Sequence, residues 1–329
     1  MYYFLLIFLN ILILFFFKNI QKINLYDYPD KVRKFHPQPI FMGGGIILFL
    51  NYFFLVTYSF FFEPKNYFIN FYSLSDYFTW VISPFLIFII GVYDDKKNLS
   101  ANKKFLFLTA VYTFTIFFDK GLIINKIVFS TTEFQIQLGN FNYIFSIFAL
   151  LVFANAFNML DGIDLNVAIY SIIIIFYFSL RSGLNNEVFT IITFLACFSY
   201  LNSTKKSFLG DGGTYLLSYL ISVFFIKSYN ENNLFLCDEI FVLMLLPGIE
   251  LLRLFLLRLS NFKNPFTSDR NHLHHLMINK FKNLDHKLIS AIINLVFLMM
   301  VIIFFTFKRN EIIFLIFIFY YLLILSLKN

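Results

Sequence analysis

The sequence predicts an all-α polytopic membrane protein, a bundle of about 11 (10–12) transmembrane helices with its active site in cytoplasmic loops. Three observations predict it. Of 329 residues, 59% are hydrophobic and only 14% are charged, whereas about 25% are charged in a soluble domain. Apolar stretches recur along the whole chain, and mean hydropathy is +0.75. Basic residues fall mainly on one side of those stretches, while acidic residues do not. A water-soluble enzyme, a disordered chain and a small disulfide-stapled domain are excluded.

In order, the apolar stretches cover residues 2–17, 40–62, 77–93, 105–118, 141–157, 166–180, 188–201, 213–226, 240–257, 288–307 and 312–327. A spanning helix needs about 17–25 residues, so several fit only with neutral Asn, Ser and Thr flanks. The first has no basic residue before it and is followed by Lys18, Lys22, Lys31, Arg33 and Lys34. That charge order is the reverse of a cleavable signal peptide and predicts an uncleaved span with its N-terminus outside. The third stretch closes on Asp94 and Asp95. Segment 119–140, the longest outside, alternates enough for a short outer hairpin. The ninth stretch carries Glu250 and Arg253, whose spacing lets them pair on one helix face as a buried structural ion pair.

With the loops after odd-numbered spans cytoplasmic, that side holds 18 Lys/Arg against 7 opposite, with Arg253 inside a span. Acidic residues split 9 and 9, with Glu250 inside a span. Only the basic residues are biased, as the positive-inside rule requires. Lys308 and Arg309 fall on the outer side against the trend. The formal charge of +7 is therefore a topology signal, and without a basic stripe on a soluble face it does not point to nucleic acid. Cys197 and Cys237 form no CxxC pair or ligand cluster. Phe, Ile, Asn and Lys all run high and share AT-rich codons, which accounts for the 51 Phe without a binding role.

The chain reads as a single domain, 1–329, whose polar constellations gather in five cytoplasmic loops, about 18–45, 94–104, 155–166, 202–213 and 259–287. The motifs are KVRKFHPQPIFMGGG (31–45), GVYDDKKNLSANKK (91–104), NAFNMLDGIDL (155–165), SFLGDGG (207–213) and NPFTSDRNHLHH (264–275). Adjacent Asp94 and Asp95, followed by Lys96, Lys97, Lys103 and Lys104, suit a divalent metal and phosphate; a solvated helix end is the plainer alternative. Asn155, Asn158, Asp161 and Asp164 recur every third residue at membrane depth, where oxygen-bearing side chains usually face a cavity or partner. In GDGG the glycines permit close approach of backbone to ligand, with Asp211 as a metal ligand. His272, His274 and His275 behind Arg270 suit a diphosphate clamp better than zinc. Together, carboxylates, an amide, lysines and histidines without a Ser-His-Asp or Cys-His arrangement suit metal-assisted displacement at a pyrophosphate, with one water-soluble and one lipid substrate.

These five segments, in this order, resemble the polyprenyl-phosphate N-acetylhexosamine-1-phosphate transferases, a family related to phospho-N-acetylmuramoyl-pentapeptide transferase. Arg33, Lys34, His36, Pro39, Gly44 and Gly45 match RKxHxxPxxxxGG; Asp94 and Asp95 match its DD. Residues 155–164 match NAxNxxDGxD, Phe208 to Gly213 match FxGDxG, and 265–275 match PFxxDRxHLHH, resembling the GlcNAc-1-phosphate branch. The resemblance implies transfer of a sugar-1-phosphate from a UDP-sugar, with UDP-GlcNAc the default, to undecaprenyl phosphate, releasing UMP and initiating cell-envelope glycan synthesis. A modified hexosamine or UDP-MurNAc-pentapeptide is the alternative donor. It implies Mg²⁺, with Mn²⁺ as a substitute, on Asp211 and Asn158, with Asp161 close by. Asp94 and Asp95 would orient or deprotonate the lipid phosphate; a phosphomonoester with second pKa near 6 is already mostly ionised, which favours orientation. Phe208 would stack on uracil and Asp164 would lie near the uridine, with Asn155 and His275 also at the substrate. Lys104, Arg270, His272 and His274 would contact the diphosphate, and Lys34 and His36 the lipid-phosphate or nucleotide edge. A bacterial inner-membrane location is implied, and a homodimer is compatible with it.

Three departures stand out: Leu165 where the family's DGxDGL has its second Gly, Phe41 where a second Pro is common, and Thr214–Ser218 where small residues usually follow. A secondary transporter or an inactive scaffold are the readings of another class. A transporter would place polar residues near mid-membrane and show repeat symmetry.

Overall fold

A computed structural model of the chain describes residues 1–29, 38–130, 134–232, 234–262 and 271–328. Its helices are, in order, α1 (Tyr2–Phe15), α2 (Phe17–Ile20), α3 (Gly44–Phe62), α4 (Leu74–Tyr77), α5 (Ser83–Lys97), α6 (Ala101–Phe118), α7 (Asn142–Leu160) and α8 (Asn166–Ser182). They continue with α9 (Asn186–Ser203), α10 (Gly210–Lys227), α11 (Cys237–Leu243), α12 (Leu245–Ser260), α13 (Leu273–Lys280), α14 (His286–Phe307) and α15 (Asn310–Lys328). Strands are few: β1 (Tyr26–Asp27) pairs antiparallel with β2 (Ile40–Phe41), and β3 (Lys126–Val128) with β4 (Gln135–Gln137). The second pair is the hairpin that the alternation in 119–140 predicts.

Four helices are long and apolar enough to cross a membrane: Gly44–Phe62, Leu74–Lys97, Gly139–Leu160 and His286–Phe307. The bent pairs Tyr2–Phe15 with Phe17–Ile23 (67°) and Cys237–Leu243 with Leu245–Ser260 (75°) bring the number to six among the described residues. The chain is a mostly helical, multi-pass membrane protein. Eleven separate spans do not follow from helix length and apolarity alone, and α10 shows why. From Gly212 to Lys227 every residue of α10 is buried. It packs against α3, α5 and α7, while α9 backs α3 and α6 flanks α5. Protein rather than lipid surrounds it, so it can carry Thr214, Tyr215, Ser218, Tyr219 and Ser222 among its apolar residues. Their hydroxyls must find partners inside the bundle. Tyr219 donates to the Thr79 carbonyl at 2.8 Å and Ser218 to that of Tyr215 at 3.0 Å.

Glycine sets how closely these helices approach. A Cβ on Gly45 of α3 would lie 2.5 Å from the Gly213 nitrogen, and one on Gly91 of α5 would lie 2.4 Å from the Gly212 Cα. Bare backbone on three helices therefore meets at the start of α10, the packing that small residues permit in membranes.

The other end of α10 is held by charge. Lys227 pairs with Asp76 at 2.7 Å and Asp119 at 3.1 Å, all three buried. The hairpin lies at this same end: Val128 N–H donates to the Tyr229 hydroxyl at 2.9 Å, and Ser130 donates to Asp238 through backbone and hydroxyl.

Between the two ends, Asn10 of α1 and Asn51 of α3 exchange side-chain hydrogen bonds of 2.6 and 3.1 Å in the buried interface. Removing one amide strands the other, whereas removing both restores an apolar contact. Asn10→Leu and Asn51→Leu are each expected to lower thermal stability, and the double variant is expected to lose less than the sum of the two. A double-mutant cycle on the detergent-purified protein is expected to give a coupling of about 1 kcal/mol; additive effects would remove the pair's role in helix register.

Candidate active site

The start of α10 gathers three of the sequence motifs. Gly210 adopts φ +74°, which turns the chain into the helix and suits glycine. Both oxygens of Asp95 accept backbone N–H groups here, from Asp211 at 2.7 Å and Gly212 at 3.1 Å. These are donors that a helix start leaves without intrahelical partners.

Asp211, one residue into the helix, turns its carboxylate to two other motifs. Asn158, near the end of α7, donates its amide to Asp211 Oδ1 at 2.6 Å and to Thr214 Oγ1 at 2.9 Å. Lys104, in the first turn of α6, donates to Asp211 Oδ2 at 3.1 Å and pairs with Asp94 Oδ2 at 2.5 Å. Asp94 is buried and also accepts the Leu99 N–H at 2.8 Å. That contact, with Asn98 left-handed at φ 50°, ends α5 and swings α6 back so that Lys104 faces the carboxylates. An ammonium between two carboxylates is the stable arrangement for charges so close together.

The loop after α7 carries the remaining acids. Burial, with the Asp211 and Asp164 carboxylates nearby, pushes Asp161 up to about 7. Burial also raises Asp164, partly offset by Lys205, His286 and Lys287. Gly162 packs directly on the histidine loop, since a Cβ there would lie 2.1 Å from His274 Nε2. His274 is buried with its ring centroid 4.4 Å from that of His275 and 5.4 Å from that of His272. Burial and these neighbouring rings hold its pKa well below the usual histidine range, keeping the imidazole neutral.

The pair Glu250–Arg253 is present as the spacing predicts, with bonds of 3.0 and 2.7 Å. Glu250 also accepts the Leu273 N–H at 2.6 Å and the Tyr320 hydroxyl, while Arg253 donates to the Asn271 carbonyl at 2.5 Å. The pair thus fixes the start of α13, where the histidines sit.

Asp94, Asp95, Lys104, Asn158 and Asp211 are brought into one contact network. Asp161 lies beside it and His274 touches its loop. Asn155 instead donates to the Leu151 carbonyl of its own helix at 2.8 Å. Phe208 is joined to the first motif through backbone: its N–H donates to the Phe41 carbonyl and its carbonyl accepts from Gly44, each at 2.9 Å. Lys34, His36 and Arg270 lie outside the described residues. Among the described residues, no group of three or more His, Cys, Asp or Glu side chains is arranged to hold a metal by itself.

Asn202 was not singled out by the sequence, where it reads as a neutral flank of an apolar stretch. Its Oδ1 accepts the Leu165 N–H at 2.6 Å and its Nδ2 donates to the Ser207 carbonyl at 2.9 Å. It therefore ties the loop after α7 to the turn before α10. Leu165 sits at φ 66°, left-handed, which explains a glycine at that place in the motif it resembles. Asn202→Ala would leave both backbone groups without this partner and is expected to lower stability by about 2 kcal/mol, read as a drop in unfolding temperature. An unchanged temperature would show that the two loops hold each other without it.

A multi-pass helical membrane protein with a carboxylate, lysine and amide network at one end of its bundle is the class that fold and site define. Comparison with known proteins makes the relation specific. Residues 77–229 match the family described as Glycosyl transferase family 4, which takes in Asp94, Asp95, Lys104, Asn158 and Asp211. The undecaprenyl-phosphate alpha-N-acetylglucosaminyl 1-phosphate transferase of Escherichia coli (strain K12) is 26% identical over 281 residues, 81% of this chain and 73% of that one. That of Yersinia pestis is 25% identical over 270 residues, 78% and 70% respectively. A probable undecaprenyl-phosphate N-acetylglucosaminyl 1-phosphate transferase of Bacillus subtilis (strain 168) is 26% identical over 284 residues, 84% and 75%. Residues 77–229 are thus similar to Glycosyl transferase family 4, and the chain as a whole is distantly similar to these transferases.

Proposed function

We propose that this chain transfers a sugar-1-phosphate from a UDP-sugar to undecaprenyl phosphate, releasing UMP, with GlcNAc-1-phosphate as the default group. The observation that carries the reading is the network of Asp94, Lys104, Asn158 and Asp211 inside the matched family segment. An oxygen of the lipid phosphate attacks the sugar-bearing phosphorus of the donor. The bond from that phosphorus to the bridging oxygen breaks, and UMP leaves with the electron pair. Asp94 and Lys104 orient the incoming phosphate and offset its charge, and the neutral His274 beside Gly162 offers hydrogen bonds at the diphosphate. Asp164 and Phe208 lie toward the nucleotide.

The donor set fits Mg²⁺ as this ion is usually held, by one or two carboxylates with substrate phosphates and water completing the shell. Asp211 supplies hard oxygens, Asn158 touches it, and the Lys104 ammonium already marks the place as one that takes positive charge. When bound, the ion would stabilise charge on the diphosphate. An apolar cavity between α12, α13, α14 and α15, lined by Leu273, Met277, Phe297 and Tyr320, adjoins the histidine loop. The basic bias of the loops supports about eleven crossings, with the site cytoplasmic and the N-terminus outside. The test supplies purified protein with undecaprenyl phosphate, Mg²⁺ and a panel of UDP-sugars. UMP and a lipid-linked sugar are the expected products; no turnover with any donor would overturn the reading.

A further inference from the structure

Two adjacent carboxylates at a site of this kind invite equal roles, yet their surroundings differ. Asp94 faces Lys104, a side chain able to meet a phosphate. Asp95 faces only the turn into α10: one oxygen accepts from Asp211 N–H at 2.7 Å, the other from Gly212 N–H at 3.1 Å. The glycines of this turn are shaped around that carboxylate. A Cβ on Gly210 would lie 2.7 Å from Asp95 Oδ2, and one on Gly212 would lie 3.5 Å from the same atom. N–H groups at a helix start are ready-made anion donors. Here they are filled from within the chain, and the glycine-rich turn closes on a side chain instead of a substrate phosphate.

We infer that Asp95 is a positioning residue: it caps α10 and thereby aims Asp211 at Lys104 and Asn158, without contacting either substrate. The chain of cause runs through two helices. Gly91, one turn before Asp95 on α5, lets that helix approach the Gly212 backbone, and Asp95 then fixes the rotation of the first turn of α10. The inference rests on the transferase reading for its kinetic readout but not for its structural one.

The test compares Asp95→Asn, Asp95→Ala and Asp94→Asn in the full-length protein. Hydrogen exchange, measured without substrates, reads the capped amides of Asp211 and Gly212. Asp95→Ala is expected to speed their exchange about tenfold or more, Asp95→Asn less because its amide oxygen still accepts one bond, and Asp94→Asn not at all. In the transfer assay, Asp95→Asn is expected to lower kcat while KM for both substrates stays within about twofold, and to retain about a tenth or more of wild-type kcat. A raised KM for undecaprenyl phosphate, or unchanged exchange in Asp95→Ala, would overturn the positioning role. Inactivity of the wild-type protein toward every donor would overturn the transferase reading, leaving the exchange result to decide the cap.

Discussion

Replacing Asp211 with asparagine is expected to lower UMP release by about a thousandfold while leaving the fold intact, because one oxygen stays and one negative charge goes. The asparagine can still accept from Asn158 at the position where Asp211 Oδ1 does so at 2.6 Å. It turns an NH₂ group toward Lys104, where the carboxylate accepts at 3.1 Å. The variant thus separates charge from shape. Asp211 is the only carboxylate that touches both Lys104 and Asn158 among the described residues, so no neighbour can take its place without moving a helix. Single-turnover UMP release from wild type and variant, at matched unfolding temperatures, is the measurement. Turnover within tenfold of wild type would remove Asp211 from the chemistry.

A single methyl group on Gly91 is expected to cost about a hundredfold, although Gly91 contacts no substrate. Its Cβ would lie 2.4 Å from the Gly212 Cα and 2.6 Å from the Asp211 carbonyl oxygen. Both neighbours are backbone, with no flexible side chain to yield. Helix α5 must withdraw, carrying Asp94 and Asp95 from Asp211. Overpacking of this kind costs about 1–3 kcal/mol, and a displacement of about 1 Å in a reacting constellation costs on the order of a hundredfold in rate. Gly91→Ala is therefore expected to lose about a hundredfold in kcat and to unfold at lower temperature. Gly248→Ala is the control, since nothing lies within 4 Å of its added Cβ; it is expected to match wild type. A Gly91→Ala protein with normal kcat would show that the helix contact does not set the site's geometry.

The helical membrane class was legible in composition, and the acids that the fold gathers at the candidate site were legible in their motifs. The hairpin in 119–140 and the Glu250–Arg253 pair were legible too, because each depends on spacing within one short segment. What the sequence concealed depends on contact between segments. The apolar stretch 213–226 looks like the others, yet α10 is sheathed in protein, and its hydroxyl-bearing residues signal this only once its neighbours are known. Asp94 and Asp95 look equivalent until one is seen facing a lysine and the other a helix start. Asn202 acts across 37 residues to reach Leu165, and no local pattern marks such a partner.

The burial of α10 also bears on how the protein is made. A helix that carries Asp211 in its first turn, ends at Lys227 and holds five hydroxyl-bearing residues gains little from entering lipid alone, where each unpaired polar group is costly. Its glycine seat is built by α3 and α5, and the carboxylates awaiting Lys227 come from residues 76 and 119. All of these precede it in the chain. During synthesis the segment thus emerges after its receptors, so its entry depends on a prepared protein cleft more than on hydrophobicity. Damage to that cleft would strand a polar helix outside the bundle, making misassembly a consequence of changes far upstream of the helix itself.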